Sequence, residues 1–192
     1  MGKIYYVMGK SATGKDTVYK QIMETLPELK TIVLYTTRPM REGETEGVEY
    51  HFCTAEELKG YEAMGKMIES RTYQTVCGPW TYATVDDGRI DLESSDYLVI
   101  GTLESYERLR AYFGPEALVP LYVYTDDGTR LERAVAREKL QPNPNYKELC
   151  RRYLADEQDF SEGKLRSAGI ERCYENDSLA ICLEEILREI KG

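Results

Sequence analysis

Short apolar runs alternate with segments of helical periodicity along most of the chain. Runs rich in β-forming residues predict buried strands at residues 3–8, 31–35, 97–101 and 118–124, and a shorter strand at 171–174. Between and after them, helical patterns cover residues 17–26, 104–113, 130–140, 145–160 and 178–191. This alternation predicts an α/β fold, with a parallel sheet that carries helices on both faces.

Residues 36–92 have a different texture, with shorter segments, more turns and less continuous apolar runs. Thr54 and Glu57 have the spacing of a capping box and predict a helix that begins there. We expect an insertion at about 36–92 that closes over a ligand, and a small helical lid at about 128–148, where two prolines interrupt the helical pattern. The core would comprise residues 1–35, 93–127 and 149–192, which makes 1–192 a single domain.

Composition narrows the range of partners. The net charge is −9, which argues against a nucleic-acid binder, and no apolar run approaches the roughly 20 residues of a spanning helix. Five scattered cysteines and a single histidine argue against a zinc site and indicate free thiols in a reducing compartment. The expectation is a cytoplasmic protein that binds small molecules and is a monomer or small homo-oligomer.

The first predicted strand leads into a glycine-rich loop and then a helix. The segment Gly9-Lys10-Ser11-Ala12-Thr13-Gly14-Lys15 matches G-x-x-x-x-G-K in the context that gives this pattern its meaning. Its glycines let backbone N–H groups point at phosphate oxygens, and the helix N-terminus adds partial positive charge. Lys15 can then neutralise the β- and γ-phosphates of ATP during transfer. The alternative is a glycine-rich turn with a solvated lysine.

Asp16 stands where this motif usually has Ser or Thr, whose hydroxyl binds Mg²⁺. A carboxylate is a hard oxygen ligand and can hold Mg²⁺ directly or through water. The alternative is that Asp16 only favours the helix dipole. We predict Mg²⁺ as the cofactor, with Asp16 as its protein ligand, and we include Asp16 and Thr17 in the ATP site.

A second and longer motif lies downstream. The segment Thr36-Thr37-Arg38-Pro39-Met40-Arg41-Glu42-Gly43-Glu44, followed by Gly47, Tyr50 and Phe52, resembles the T-T-R-x-x-R-x-G-E-x-x-G-x-x-Y-x-F signature of guanylate kinases. Two guanidiniums can form a fork for an acceptor phosphate, and the tyrosine can add a third hydrogen bond. The resemblance implies a P-loop kinase fold and a transferase of purine nucleotide metabolism that converts ATP and GMP to ADP and GDP.

The resemblance extends to the segments that would bind the guanine base. Glu69 corresponds to the family glutamate that accepts from guanine N1 and N2, while Tyr82 and Thr84 correspond to residues that meet the phosphate and guanine O6. Residues 101–103 lack the carboxylates of the family D-x-D element, and Leu34 replaces a serine that contacts the base. These departures leave the preferred base open.

Further arginines resemble those of the family lid. Arg133 and Arg137 correspond to lid arginines, and Arg152, or else Arg151, corresponds to the one that completes the clamp on the transferring phosphoryl. With Lys15 and Arg38 they form the predicted catalytic set; surface charge is the alternative for the helical pair. Asn176 resembles the adenine-side residue and completes the predicted ATP site.

Two other functions fit the same frame. Ribose 1,5-bisphosphate phosphokinases resemble guanylate kinases and also show aspartate after the P-loop lysine. Non-catalytic guanylate-kinase-like interaction modules are the second alternative, although they typically have degraded P-loops and this chain retains both glycines and Lys15.

Overall fold

The computed structural model describes residues 2–75 and 78–192. The strands are β1 Ile4–Met8, β2 Lys30–Thr31, β3 Tyr35–Thr36, β4 His51–Phe52, β5 Met67–Thr75, β6 Gly78–Val85, β7 Tyr97–Ile100, β8 Leu118–Tyr124 and β9 Cys173–Glu175. The helices are α1 Lys15–Thr25, α2 Ala55–Ala63, α3 Leu103–Phe113, α4 Asp127–Lys139, α5 Tyr146–Asp159, α6 Glu162–Ser167 and α7 Leu179–Lys191.

The central sheet has the strand order β2-β7-β1-β8-β9, and all of its described pairings are parallel. Strand β1 lies in the middle, where Ile4 is opposite Tyr97 on one side and Leu118 on the other. Because β1 is enclosed on both edges and both faces, all five of its residues are buried, as expected of an apolar run of this kind. The predicted parallel sheet is confirmed.

Helices cover both faces of this sheet, which confirms the predicted layering. Alternate side chains of β1 point to opposite sides. Tyr5 and Val7 pack in one cluster with apolar residues of α1 and α7, including Ile22 and Ile186. Tyr6 packs on the other face with residues of α3 and of the segment after α5.

A second, smaller sheet is built from residues between 35 and 85, with the order β4-β3-β6-β5. Helix α2 packs against it through Leu58. Thr54 Oγ1 accepts a hydrogen bond from the Glu57 amide at 3.2 Å, and Glu57 Oε2 accepts from the Thr54 amide at 2.7 Å. The capping box predicted from the sequence therefore begins α2.

The prediction of a single buried strand at residues 31–35 is wrong. Lys30 and Thr31 form an exposed edge strand of the central sheet, paired with β7. Tyr35 belongs instead to the second sheet, where it lies opposite Ala83. The chain crosses from one sheet to the other within this run, and an apolar pattern does not distinguish one continuous strand from two short ones.

Helix boundaries also differ from the predicted ones. The helix predicted at residues 145–160 ends at Asp159, and a separate short helix, α6, follows Ser161. Helix α4 begins at Asp127 rather than at residue 130, because the Asp126 side chain accepts from the Thr129 amide at 3.0 Å and caps it. Within the described part of the chain, no helix is long and apolar enough to cross a membrane.

Candidate active site

The loop between β1 and α1 is wound so tightly that two of its positions require glycine. A Cβ on Gly9 would lie 2.5 Å from the carbonyl oxygen of Val123 on the neighbouring strand β8. Gly14 has a left-handed backbone, with φ of 85°, immediately before the first residue of α1. The loop therefore follows the course that turns backbone amides towards a phosphate at the helix N-terminus.

The underside of this loop is tied to the ends of β8 and β9. Asn176 is buried, and its Nδ2 donates to the Thr13 carbonyl oxygen at 2.7 Å. A Cβ on Gly14 would come within 2.4 Å of that Nδ2. Thr125 Oγ1 lies 3.4 Å from the same Thr13 oxygen. Asn176, predicted from the sequence as an ATP-site residue, is thus placed where it supports the loop from below.

Arg130 connects the loop to α4 and α5, a role that could not be predicted from the sequence. Its side chain is 1% exposed, and its Nε donates to the Ser11 carbonyl oxygen at 3.1 Å. Nη1 donates to Asp127 at 2.6 Å and to Glu157 at 2.9 Å, and Nη2 lies 3.3 Å from Asp156. The only sequence signal was the spacing of Asp127 and Arg130, which is common on exposed helices.

Two further contacts complete this network. Lys10 Nζ lies 2.7 Å from both carboxylate oxygens of Glu157. Burial acts to raise the pKa of Glu157, but the hydrogen bonds from Lys10 and Arg130 outweigh it and lower the pKa below its ordinary value. The Ser11 amide donates to Asp156 Oδ2 at 2.8 Å, so a carboxylate already meets one of the loop amides.

Lys15 and Asp16 face a cleft of about 720 Å³ between the loop and the end of β7. Lys15 Nζ lies 3.6 Å from Asp16 Oδ2, and the Asp16 side chain is 82% exposed. No cluster of three His, Cys, Asp or Glu residues suited to a metal occurs among residues 2–75 and 78–192. One exposed carboxylate beside Lys15 fits Mg²⁺ that arrives with a nucleotide, because this ion commonly takes one or two carboxylates plus phosphate oxygens.

Arg38 of the second motif is a buried, paired cation. Its side chain is 3% exposed, and Nη2 and Nη1 donate to the two oxygens of Glu44 at 2.7 and 3.0 Å. These hydrogen bonds raise the pKa of Arg38 and lower that of Glu44. The backbone amide of Arg41 donates to the same carboxylate at 2.7 Å, while the Arg41 side chain is exposed. Glu44 therefore fixes one arm of the predicted fork, and the other arm faces solvent.

Aromatic rings surround this fork. The Arg38 guanidinium lies 5.2 Å from the centroid of the Tyr50 ring, and Tyr50 packs edge-on against Tyr82 with the centroids 5.5 Å apart. Both tyrosines line a cavity of about 350 Å³ together with Leu34, Trp80 and other residues. The structure therefore brings together Arg38, Tyr50 and Tyr82, three of the predicted acceptor residues.

The two residues predicted to read the base are in direct contact. Glu69 on β5 is 8% exposed, and Thr84 on β6 donates from Oγ1 to Glu69 Oε1 at 2.9 Å. The register between the strands places these residues opposite each other. Arg71 approaches the other carboxylate oxygen, with its Nε 3.2 Å from Glu69 Oε2. Arg71 could not be predicted from the sequence, because its i,i+2 spacing from Glu69 was the only available signal.

The predicted lid arginines occupy two places. Arg137 and Arg152 line a cavity of about 660 Å³ that also includes Ser11. Arg133 lies elsewhere, with Nη1 3.3 Å from Thr125 Oγ1 and Nη2 3.1 Å from the Asn176 carbonyl oxygen. The two arginines of α4 are therefore separated: Arg137 lines the cavity, and Arg133 contacts the residues that support the loop from below.

Arg151 and Arg152 share a partner on the preceding turn of α5. Both donate to Glu148, at 2.8 and 3.0 Å, and lower the pKa of that carboxyl to about 2. Of these two arginines, Arg152 is the one that lines the cavity.

A parallel sheet whose first strand runs through a G-x-x-x-x-G-K loop into a helix defines a P-loop protein. The model of the family described as Guanylate kinase matches residues 1–86. A guanylate kinase of Chlorobaculum tepidum is 31% identical over 163 residues, which cover 84% of this chain and 72% of that protein. The chain belongs to the guanylate kinase family, as the second motif indicated.

Other curated relatives match over shorter segments. A guanylate kinase of Frankia casuarinae is 49% identical over 61 residues, or 32% of this chain, and in this and two similar matches the chain spans 33 to 42% of the length of the curated relative. Among solved structures, the crystal structure of guanylate kinase from Anaplasma phagocytophilum superposes with a TM-score of 0.61 at 20% identity, covering 99% of this chain and 85% of that one. This similarity confirms the P-loop kinase fold.

Proposed function

We propose that this chain transfers the γ-phosphoryl group of ATP to GMP and forms ADP and GDP. One observation carries the proposal: a single cleft of about 720 Å³ is lined by Lys15 of the P-loop and by Arg71 and Tyr73 of the second sheet. The Glu69–Thr84 pair adjoins Arg71. A donor bound on the loop and an acceptor bound on the sheet would therefore face each other.

Transfer of this kind needs no covalent intermediate, so the protein acts by position and charge. Lys15 binds the β- and γ-phosphates and neutralises the charge that builds on them. Arg38 and Arg41 hold the acceptor phosphate in line, with hydroxyls of Tyr50 and Tyr82 as further donors. Because Glu44 fixes Arg38 in advance, the acceptor site loses little side-chain entropy on binding.

The remaining predicted residues act on the donor side. Arg133, Arg137 and Arg152 supply positive charge to the transferring phosphoryl group when the lid closes. Asp16 would hold a Mg²⁺ ion that arrives with ATP, and the ion would supply charge neutralisation. Closure of residues 36–92 and 128–148 over the substrates excludes water, which would otherwise hydrolyse ATP. The reaction belongs to cytoplasmic purine nucleotide metabolism in a monomer or small homo-oligomer.

A coupled ADP-release assay with Mg²⁺ and ATP tests the proposal across GMP, dGMP, AMP, UMP, CMP and ribose 1,5-bisphosphate. We expect the highest kcat/KM with GMP. Preference for ribose 1,5-bisphosphate would replace the acceptor, and a rate no higher than the acceptor-free background for every compound would leave a binding module. Lys15→Ala serves as the control that separates this activity from contaminating kinases.

A further inference from the structure

Arg71 lies on β5 between the two groups of predicted acceptor residues. It is two residues from Glu69 on the same strand and lies opposite Tyr82 across the β5–β6 pairing. Its side chain is 24% exposed and lines both the cleft that contains Lys15 and the cavity formed by the acceptor tyrosines. A cation at this position can reach a bound acceptor.

Two neighbours contact this guanidinium. Nε lies 3.2 Å from Glu69 Oε2 but is not aligned for a hydrogen bond, and Nη1 lies 3.4 Å from the hydroxyl of Thr102 at the start of α3. The contact with Thr102 is long, and the contact with Glu69 is ionic. Arg71 is therefore positioned by its neighbours, while its Nη donors can still turn to a ligand in the cleft.

The hydrogen bond between Thr84 and Glu69 leaves a carbonyl oxygen of a bound base without a donor from either residue. Thr84 carries a single hydroxyl proton and donates it to Glu69 at 2.9 Å. While that bond lasts, Thr84 cannot also donate to a carbonyl oxygen of the base. Glu69 is acceptor-only when ionised and is suited to the N–H edge of a base. A base with a carbonyl next to that edge then needs another donor.

We propose that Arg71 is a specificity-determining residue that donates a hydrogen bond to the 6-oxo group of the acceptor base while Glu69 accepts from its N–H edge. The inference rests on the proposed function, because it takes the acceptor to be a purine nucleotide. Arginine is well suited to this task, since its planar fork commonly binds guanine O6 and N7. An adenine would present a 6-amino donor to the guanidinium, and two donors facing each other discriminate against that base.

The sharpest test compares GMP with 6-thio-GMP, in which sulfur, a weaker acceptor, replaces O6. Wild-type protein should prefer GMP by about 10- to 100-fold in kcat/KM, the range for a hydrogen bond from a charged donor. In Arg71→Met, kcat/KM for GMP should fall by a similar factor, and the preference over 6-thio-GMP should shrink below about threefold. Arg71→Lys, which keeps a charged donor, should recover part of the preference.

Arg108→Met is the matched control, because Arg108 is an exposed arginine on α3 and the change in net charge is the same. It should leave the preference unchanged, and thermal unfolding of each variant shows whether it is folded. The proposal is overturned if Arg71→Met keeps the wild-type preference while GMP turnover falls, since Arg71 would then only position Glu69. It is also overturned if the wild type shows no preference. If the wild type fails to phosphorylate GMP but accepts another compound, the proposed function itself is wrong.

Discussion

Replacement of Arg130 by methionine tests the network that connects the P-loop to α4 and α5. The side chain is 1% exposed and binds the Ser11 carbonyl oxygen together with three carboxylates. Methionine keeps much of the volume but removes every donor. Asp156 and Glu157 would then have no guanidinium to balance their charge, and the Ser11 carbonyl oxygen would lose its partner.

The size of the loss in stability depends on how well water can solvate the carboxylates that Arg130 leaves unpaired. Removing one partner of a fully buried ion pair costs about 3–5 kcal/mol. Here Asp127 is 51% exposed and Glu157 is 36% exposed, so solvent stabilises both carboxylates in the variant. We therefore expect the free energy of unfolding to fall by about 2–3 kcal/mol, which for a domain of this size lowers Tm by about 4–12 °C.

Urea denaturation followed by circular dichroism measures this loss directly. Arg108→Met, an exposed change of the same kind, should stay within about 0.5 kcal/mol of wild type. Glu157→Gln should cost less in the Arg130→Met background than in wild type, because Glu157 has lost one of its two cationic partners there and keeps Lys10 alone. A loss below about 0.5 kcal/mol for Arg130→Met would show that this network does not stabilise the fold.

Four further predictions concern the site. Lys15→Ala should lower kcat more than tenfold while Tm stays within a few degrees; retention of more than about a tenth of kcat would leave the lysine under about 1.4 kcal/mol of transition-state stabilisation. Arg41→Ala should raise KM for GMP and leave ATP affinity within a few-fold, and titrations that show the reverse would place this arginine on the other substrate. Asp16→Asn should raise the Mg²⁺ concentration for half-maximal rate, whereas an unchanged midpoint would reduce Asp16 to a helix-dipole role. The pKa of Glu157 is lowered in the folded protein, so the unfolded chain binds more protons in the acid range, and stability is lost as pH falls through the folded pKa, below the ordinary 4.5. Glu157→Gln should therefore make the urea midpoint depend less on pH between about pH 5 and 3. An unchanged pH dependence would contradict this.

The sequence predicted best what is encoded locally. The apolar run of β1, the loop after it and the first turn of α1 are contiguous, so their spacing alone indicated the P-loop. The capping box at Thr54 and Glu57 is another local signal, and it begins a helix as predicted. In each case the interacting groups are separated by a few residues, and their residue types suffice.

What the sequence missed depends on contacts between distant segments. Arg130 and Ser11 are 119 positions apart, and Arg71 reaches Thr102 across 31. Neither spacing is visible in a linear pattern, and arginine is a common surface residue. Asn176 was predicted as a ligand-binding residue from its resemblance, but only the fold shows that its amide supports Thr13, 163 positions away.

The proposed function requires that one phosphoryl group passes directly from ATP to GMP. Incubation with γ-³²P-labelled ATP, Mg²⁺ and unlabelled GMP, followed by chromatographic separation of the products, tests it most directly. We expect the label to appear in GDP in step with ADP formation, and we expect Lys15→Ala to abolish the transfer. Label recovered as inorganic phosphate, with no labelled GDP, would contradict it.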